Sequence, residues 1–326
     1  MIGAGSWGTA AAALAGREHS VTLWARRPEL AEAINTSGEN PEYLPGARLP
    51  FGLRATSNLE DAVRDATIIA VAVPSHGFAA VVEEIGSVDP RVPMISLTKG
   101  IEVDSLRRMT EIMTTGFAGH DPARIGVLTG PNLATEIMAG SPTAAVVAMA
   151  DQNAASRVQA AFSGPTFRVY TNDDVVGCEL AGSLKNVMAI AAGMSTGLGF
   201  GDNTRAALIT RALAELTRLG VALGGVPATF AGLAGMGDLI ATCTSPHSRN
   251  HRVGLGLAAG KKLEQITGEM NMVAEGVKTT KAVLELATRV SVDMPIAIQV
   301  GKVLYEGHHP RQAVMSLMTR ASRPES

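Results

Sequence analysis

The strongest constraint on the fold is a change of pattern along this chain of 326 residues. Up to Tyr170, short runs rich in β-branched and apolar residues alternate with helix-like stretches. Apolar strands separated by helices are typical of a largely parallel sheet that helices cover on both faces. After Tyr170 the strand pattern stops, and the remaining sequence predicts only helices. We therefore expect a doubly wound, mostly parallel α/β domain over 1–171, followed by an all-α domain over 172–326.

The individual elements are predicted from the same local patterns. The expected strands are Val21–Trp24, Ile68–Val73, Pro93–Leu97, Ile125–Leu128, Thr143–Ala148 and Phe167–Tyr170. The expected helices of the first domain are Thr9–Ala15, Pro28–Asn35, Gly77–Ile85, Ser105–Met113 and Gln152–Phe162. The expected helices of the second domain are 174–195, 203–222, 227–241, 250–259, 273–288, 295–303 and 310–320.

Composition and charge narrow the classes of partner. A net charge of -2 with 46% hydrophobic and 18% charged residues is typical of a soluble globular protein of about two domains. The sequence contains no run of five Lys or Arg residues and no segment typical of a signal peptide or a spanning helix. We therefore expect neither a nucleic-acid partner nor a membrane partner.

The cysteines and histidines predict the compartment and the absence of a metal. Cys178 and Cys243 are far apart and have no metal-ligand spacing, which favours a reducing cytosol. The pair His308 and His309 has no carboxylate or further histidine at ligand spacing. We therefore predict a cytoplasmic protein without a metal site.

The chain opens with MIGAGSWGTA, in which Gly3, Gly5 and Gly8 have the G-x-G-x-x-G spacing. Such glycines let the backbone turn tightly and approach a dinucleotide pyrophosphate at the N-terminus of the next helix. The spacing alone is a weak signal, but the helix and strand that follow complete the beginning of a βαβ unit. Only two residues precede Gly3, whereas a strand usually has about five. The sequence leaves open whether residues are missing upstream or the start is misassigned.

Two arginines indicate which dinucleotide is bound. Domains that bind NAD place a carboxylate after their second strand, where it accepts the ribose hydroxyls. This chain has Arg26 and Arg27 at that place. Because guanidinium groups favour a 2′-phosphate, we predict NADP(H) as the preferred cofactor and leave NAD(H) open as a second one. A solvated arginine pair at the start of a surface helix is the alternative reading.

Lys185 and Asp238 are isolated charges in apolar segments. Between 177 and 194 the only other charge is Glu179, and between 226 and 246 Asp238 is the only carboxylate or basic group. A buried ammonium and a buried carboxylate are each costly unless they meet each other or a ligand. We predict that the two side chains lie within hydrogen-bonding or one-water reach, so that the carboxylate orients an amine that exchanges a proton with substrate. A purely structural ion pair is the alternative.

Further polar groups occupy positions typical of ligand sites. Lys99 closes one predicted strand, and Gly130-Pro131-Asn132 follows the next, at the carboxyl ends where doubly wound folds bind ligands. A cluster of donors at an apparent helix start suits a phosphate, and it comprises Ser248, Arg249, Asn250 and Arg252. Together these features predict hydride transfer to or from a small phosphorylated carbonyl compound.

Seven motifs in order carry a resemblance to a known family. They are GAGSWGTA, SLTKGIE, GPNLATEI, AGSLKNVMAIAAG, GDNTRAALITRALAE, GDLIATCTSPHSRNHRVG and MVAEGVKT. Over almost its whole length the chain resembles the bacterial NAD(P)-dependent sn-glycerol-3-phosphate dehydrogenases. The resemblance implies interconversion of sn-glycerol 3-phosphate and dihydroxyacetone phosphate for phospholipid synthesis, in a cytoplasmic homodimer. It also implies a Rossmann-type domain joined to a helical domain like that of the 6-phosphogluconate dehydrogenases.

The same resemblance implies roles for individual residues. The catalytic residues would be Lys185, which donates and accepts the proton, and also Lys99, Asp238, Asn186 and Thr242. The cofactor would contact Gly3, Gly5, Ser6, Trp7, Gly8, Arg26, Arg27, Lys99, Ala134, Arg249, Val273 and Glu275. The substrate would contact Lys99, Gly130, Asn132, Lys185, Asp238, Ser248, Arg249 and Asn250.

Two other functions remain as alternatives. One is another NADP-dependent reductase of the same superfamily, acting on a hydroxy acid or a ketopantoate-like substrate, and the phosphate-binding pattern at Arg249 and Asn250 opposes it. The other is a non-catalytic dinucleotide sensor, which would need neither Lys185 nor Asp238 in an apolar segment.

Overall fold

The structure is a computed structural model that describes residues 1–270 and 274–321. The chain forms two compact units, of which the first contains Met1–Glu102 and Arg107–Glu179. The second unit contains Val103–Leu106 and Leu180–Ser326. The division after Glu179 falls inside a long helix, whereas the sequence placed the domain boundary after residue 171.

All six predicted strands are confirmed to within two residues at either end. The strands are β1 (Val21–Trp24), β2 (Glu39–Asn40), β3 (Leu44–Arg48), β4 (Leu53–Thr56), β5 (Ile69–Val71), β6 (Met94–Ser96), β7 (Ile125–Thr129), β8 (Thr143–Ala148) and β9 (Phe167–Asn172). The sequence missed β2, β3 and β4, because they are short and partly exposed and lack a continuous apolar run.

The main sheet has the strand order of a doubly wound fold. Its two parts are β4-β1 and β5-β6-β7-β8-β9, and Ile2 joins them by pairing in parallel with Trp24 of β1 and Val71 of β5. The backbone at Ile2 thus takes the place of the first strand, which gives the order 3-2-1-4-5-6 over the first six positions. All pairs are parallel except that of β7 with β8, so the mostly parallel sheet is confirmed.

Helices cover both faces of this sheet. They are α1 (Ser6–Ala15), α2 (Pro28–Ser37), α3 (Leu59–Val63), α4 (Phe78–Ile85), α5 (Met109–Gly116), α6 (Ala134–Met138) and α7 (Gln152–Phe162). Alternate side chains of a strand point to opposite faces. Ile69 and Val71 of β5 accordingly pack with residues of α4 and α5, whereas Ala70 packs in the cluster that includes residues of α1 and α7. Burial on both faces explains the continuous apolar runs of the sequence.

Two predicted helices differ from the structure. The helix expected at Ser105–Met113 is α5, Met109–Gly116, because the backbone at Leu106 has a left-handed φ of 59° that interrupts a helix. The helix expected over 227–241 is broken into a short helix, a π-helical turn Leu233–Gly237 and a further helix. Gly232, between the first two pieces, is extended, with φ −91° and ψ −163°.

The described residues of the second unit form helices and no β-strand, which confirms the all-α prediction. They are the later part of α8 (Val175–Gly197), then α9 (Asp202–Ala222), α10 (Pro227–Phe230), α11 (Asp238–Thr244), α12 (Arg249–Ala258), α13 (Leu263–Gly268), α14 (Glu275–Arg289), α15 (Pro295–Tyr305) and α16 (Pro310–Met318). Helix α8 is the one described helix that is long and apolar enough to cross a membrane. In its most apolar stretch 89% is buried, as in a core helix.

Small residues let α8 and α12 pack with their backbones in contact. A Cβ atom at Gly254 of α12 would lie 2.1 Å from the carbonyl oxygen of Ile190, and one at Gly193 of α8 would lie 2.0 Å from that of His251. Both distances are too short for a real methyl group. This close approach fixes α8, which carries Lys185 and Asn186, against the helix that carries Asn250.

Candidate active site

The three glycines of the first loop have three different surroundings. Gly3 has a φ of +115°, and a Cβ atom there would lie 2.7 Å from the carbonyl oxygen of Ala72. A Cβ atom at Gly8 would lie 2.0 Å from the carbonyl oxygen of Gly3, whereas Gly5 has nothing within 4 Å of that position. The first and third glycines are therefore needed for the turn and for packing, and the second faces open space into which a ligand can come close.

The start of α1 has the features of an anion site. Gly5 is its N-cap, and no side chain among the described residues caps it, so the positive end of the helix dipole can act on a ligand. The indole N–H of Trp7 is buried and has no hydrogen-bond partner within the described ranges. A buried donor without an acceptor is costly unless a ligand supplies one. These residues fit a dinucleotide.

The arginine pair lies on the loop between β1 and α2, where the sequence predicted it. Both side chains are exposed, and Arg27 forms an ion pair with Glu42, which raises the pKa of the guanidinium. The sequence missed Glu42, which lies on the turn between β2 and β3. A single acidic residue in a polar turn has no periodic pattern that would mark it.

Lys99 and the turn after β7 come together in the first unit. The Lys99 ammonium donates a hydrogen bond of 2.8 Å to the carbonyl oxygen of Gly130, and Gly130 has a φ of +127° that favours glycine. Both amide atoms of Asn132 are buried without a hydrogen-bond partner among the described residues. Ala134 begins α6 directly after this turn. An asparagine that is unsatisfied at both ends indicates a ligand with a donor and an acceptor.

In the second unit, Lys185 is held by two side chains of α11. Its Nζ donates to Asp238 Oδ1 over 2.6 Å and to Thr242 Oγ1 over 2.5 Å, and all three residues are buried. Asp238 follows the π-helical turn directly, and Thr242 lies on the same face one turn later. The predicted contact between the lysine and the aspartate is confirmed.

Cys243 and Glu179, two other ionisable residues of these apolar segments, are not suited to exchange a proton with a ligand. Burial raises the pKa of the Cys243 thiol to about 12, so that it stays protonated and unreactive. Glu179, the other charge in the apolar segment, accepts hydrogen bonds from Thr110 N and from Arg108, both at 2.9 Å. Glu179 therefore holds the start of α5 within the first unit and is accounted for structurally.

Asn186 and Asn250 connect three helices of the second unit. Asn250 Nδ2 donates to Asn186 Oδ1 over 2.9 Å, and Asn250 Oδ1 accepts from Gly276 N over 2.9 Å. A Cβ atom at Gly276 would lie 2.6 Å from the carbonyl oxygen of Asn186, so only glycine permits this approach. The arrangement holds Asn186, and with it the neighbouring Lys185, in place. The sequence did not predict this structural role of Asn250.

The cluster predicted to bind phosphate lies at the start of α12. Ser248 is the N-cap, and its Oγ accepts a hydrogen bond of 3.3 Å from His251 N. Arg249 is half-buried, and burial lowers the pKa of its guanidinium, an effect that the Glu275 carboxylate opposes. Glu275 is the first residue of α14. Val273, predicted to contact the cofactor, lies outside the described residues, and the described residues contain no cluster of His, Cys, Asp or Glu that could hold a metal ion.

The glycine loop on a doubly wound sheet, followed by a helical unit with a buried lysine, defines a two-domain, nicotinamide-dependent dehydrogenase. Residues 1–155 match the family model described as the NAD-dependent glycerol-3-phosphate dehydrogenase N-terminus, and residues 174–315 match the one described as its C-terminus. The chain belongs to the NAD-dependent glycerol-3-phosphate dehydrogenase family.

Relatives and a solved structure agree over nearly the whole chain. A glycerol-3-phosphate dehydrogenase (NAD(P)+) 2 of Sphingopyxis alaskensis is 55% identical over 92% of this chain and 90% of its own. A glycerol-3-phosphate dehydrogenase (NAD(P)+) of Streptomyces coelicolor is 50% identical over 100% of this chain and 97% of its own. The crystal structure of glycerol-3-phosphate dehydrogenase from Coxiella burnetii is 38% identical, covers 98% of both chains and has a TM-score of 0.92.

Proposed function

We propose that this protein interconverts sn-glycerol 3-phosphate and dihydroxyacetone phosphate with NAD(P), and that it supplies glycerol 3-phosphate for phospholipid synthesis. The observation that carries the proposal is the buried Lys185–Asp238–Thr242 cluster in a chain of this family. A buried amine held by a carboxylate and a hydroxyl is suited to acid–base chemistry on an oxygen atom.

The first unit would hold the cofactor. Gly3, Gly5 and Gly8 would receive the pyrophosphate at the start of α1, and Arg26 and Arg27 would bind a 2′-phosphate, so that NADP(H) is preferred over NAD(H). When bound, the nicotinamide ring supplies or accepts the hydride. Every other part of the chemistry falls to side chains of this protein.

Lys185 would move the proton. In the reduction direction, its ammonium stabilises the negative charge that develops on the carbonyl oxygen and then protonates that oxygen. In the oxidation direction, a neutral Lys185 accepts the proton of the hydroxyl. Asp238 and Thr242 keep Nζ at one point, because each forms a short hydrogen bond with it. Lys99 from the loop after β6 and Asn132 from the turn after β7 would contact the substrate.

Arg249 would bind the substrate phosphate, together with Ser248 and Asn250 at the N-terminus of α12. A half-buried guanidinium binds an anion more strongly than an exposed one, because less water screens the charge. Phosphate binding away from the reacting carbon orients the carbonyl, so binding free energy lowers the barrier of the chemical step.

We also propose a cytoplasmic homodimer. Two free, buried cysteines are consistent with a reducing compartment. Light scattering of the purified protein should give the mass of two chains, and the mass of one chain would contradict the dimer.

An assay of NADPH oxidation tests the activity. Dihydroxyacetone phosphate should be reduced, and a panel of unphosphorylated ketones, including ketopantoate, should not. In Arg249→Ala, we expect kcat/KM for dihydroxyacetone phosphate to fall about ten- to a hundredfold, since a hydrogen bond to a charged group contributes about 1.5–3 kcal/mol. Turnover of ketopantoate instead would indicate another reductase, and NADPH binding without any turnover would indicate a sensor.

A further inference from the structure

We propose that Glu42 is a specificity-determining residue, which competes with the 2′-phosphate of NADP for Arg27 and so sets the balance between NADP and NAD. The inference rests on the proposed function, in which Arg26 and Arg27 bind that phosphate. Glu42 itself is not a member of the glycine loop or of the arginine pair.

The pair of Arg27 and Glu42 joins two separate loops of the first unit. Arg27 is the N-cap of α2, and Glu42 belongs to the turn between β2 and β3. The two side chains form an ion pair while remaining 49% and 44% exposed, respectively. The guanidinium that would bind a 2′-phosphate is therefore already paired with a carboxylate from a different segment of the chain.

Hydrogen bonds fix the turn that carries Glu42. The buried Asn40 donates to the carbonyl oxygen of Ala4 over 2.9 Å and to Thr9 Oγ1 over 2.8 Å. Asn40 Oδ1 accepts from Glu42 N over 3.3 Å and from Tyr43 N over 3.1 Å. The turn is thus bound directly to the glycine loop and to α1, and the Glu42 backbone cannot move away without disturbing the loop that receives the cofactor.

A second bond ties the same turn to the glycine loop. Ser6 Oγ donates to the carbonyl oxygen of Tyr43 over 2.8 Å. Since Ser6 is the first residue of α1, the turn is held at the end of the helix that would face the pyrophosphate. Glu42 consequently keeps its negative charge close to the place where the arginine pair would receive a phosphate.

Glu42 affects NADP and NAD differently because only NADP has a negatively charged 2′-phosphate. A 2′-phosphate must take Arg27 from Glu42 and then lie near a remaining negative charge, and both effects weaken its binding. NAD has no 2′-phosphate and leaves the ion pair intact. Because ion pairs as exposed as this one are weak, the expected effect is about two- to fivefold in affinity.

Direct binding tests the inference. In isothermal titration of Glu42→Gln, the Kd for NADPH should fall about two- to fivefold, and the Kd for NADH should stay within the error of the wild-type value. Raising the salt concentration should reduce the gain for NADPH, because exposed charges are screened. Glu29→Gln is the matched control, since Glu29 also acts on Arg27 electrostatically but forms no hydrogen bond with it, and we expect a smaller change there.

The Arg27→Ala variant distinguishes a failure of the proposed 2′-phosphate site from a failure of the inference about Glu42. If Arg27→Ala leaves NADPH binding unchanged, the proposed reading of the 2′-phosphate is wrong, and the inference fails with it. If Arg27→Ala weakens NADPH selectively but Glu42→Gln changes neither cofactor, only the inference fails. Weaker NADPH binding in Glu42→Gln would show that the carboxylate orients Arg27 for the phosphate and would overturn the inference. In the double variant, the gain from Glu42→Gln should shrink, because only the direct repulsion between the Glu42 carboxylate and the phosphate is left to be removed.

Discussion

We propose a functional role for one ion pair in each unit, and the two pairs differ in burial. Lys185 and Asp238 are 6% and 2% exposed, whereas Arg27 and Glu42 are 49% and 44% exposed. A buried pair is costly to break, because each charge would remain without water or partner. An exposed pair exchanges partners at little cost. The difference suits the buried pair to hold a reacting group still and the exposed pair to yield to a ligand.

The largest effect should come from removing the buried amine. Lys185→Ala should lower kcat by about two to four orders of magnitude, the range of general acid–base catalysis, while NADPH binding stays nearly unchanged. Lys185→Arg should not restore turnover, because a guanidinium does not release its proton near neutral pH. Stopped-flow assays with dihydroxyacetone phosphate measure the turnover of both Lys185 variants. Lys278→Ala, a change at an exposed lysine, is the control. If a folded Lys185→Ala enzyme kept most of its turnover, the ion pair of Lys185 and Asp238 would have only a structural role.

Stability measurements should separate the two pairs next. Asp238→Ala leaves a buried ammonium without its carboxylate and should lower the free energy of unfolding by about 3–5 kcal/mol. Glu42→Ala breaks the exposed pair and should cost less than about 1 kcal/mol. Urea unfolding followed by circular dichroism gives both values. Equal losses in the two variants would contradict the comparison.

A buried carboxylate without a close ion pair tests whether burial alone carries a cost. Glu215 of α9 accepts hydrogen bonds from Ile296 N over 2.8 and 3.1 Å at the start of α15, and burial raises its pKa to about 7. The folded state therefore binds this proton more tightly than the unfolded state, and its contribution to stability is present below about pH 4.5 and is lost as the pH rises to about 7.

The Glu215→Gln variant isolates that contribution. Each pKa unit corresponds to about 1.4 kcal/mol, so the unfolding free energy of the wild type relative to Glu215→Gln should fall by about 2–3 kcal/mol between pH 4.5 and 7. Urea titrations at several pH values measure this difference. A difference that is independent of pH would mean that the helix N–H groups fully offset the burial of the charge.

A smaller effect than that of Lys185→Ala should come from the exposed arginines. Replacing both Arg26 and Arg27 with Ala should weaken NADPH about tenfold or more and change NADH little, since each lost contact to a phosphate contributes about 1 kcal/mol at an exposed site. Titration of NADPH and NADH fluorescence measures both affinities. Equal losses for the two cofactors would show that the pair does not bind the 2′-phosphate.

The sequence was informative wherever burial left a pattern. The core strands were predicted because both of their faces are buried and their apolar runs are continuous, as in β8. The contact of Lys185 with Asp238 was predicted because a charge in an apolar segment needs a partner. Each of these signals comes from apolar neighbours in the chain and can be read without the tertiary structure.

The features that the sequence missed depend on contacts between distant polar residues. Glu42 meets Arg27 because hydrogen bonds of Asn40 and Ser6 hold the turn against the glycine loop, and no local pattern encodes such bonds. The break before Asp238 was missed since isolated glycines occur both in helices and at interruptions. The helices α3, α6 and α13 are too short for a helical repeat of apolar residues to be recognised in the sequence.

The glycine contact between α8 and α12 limits how this protein can be engineered. Replacing a helical glycine with alanine usually stabilises a protein, because alanine favours the helix by about 1 kcal/mol. At Gly193 and Gly254 the added methyl group would overlap a backbone oxygen of the facing helix, and the two helices would have to separate. Asn250 of α12 would then move away from Asn186 of α8, to which it donates a hydrogen bond. A stabilisation screen should therefore leave these two glycines unchanged, although standard helix propensities would rank them first for replacement.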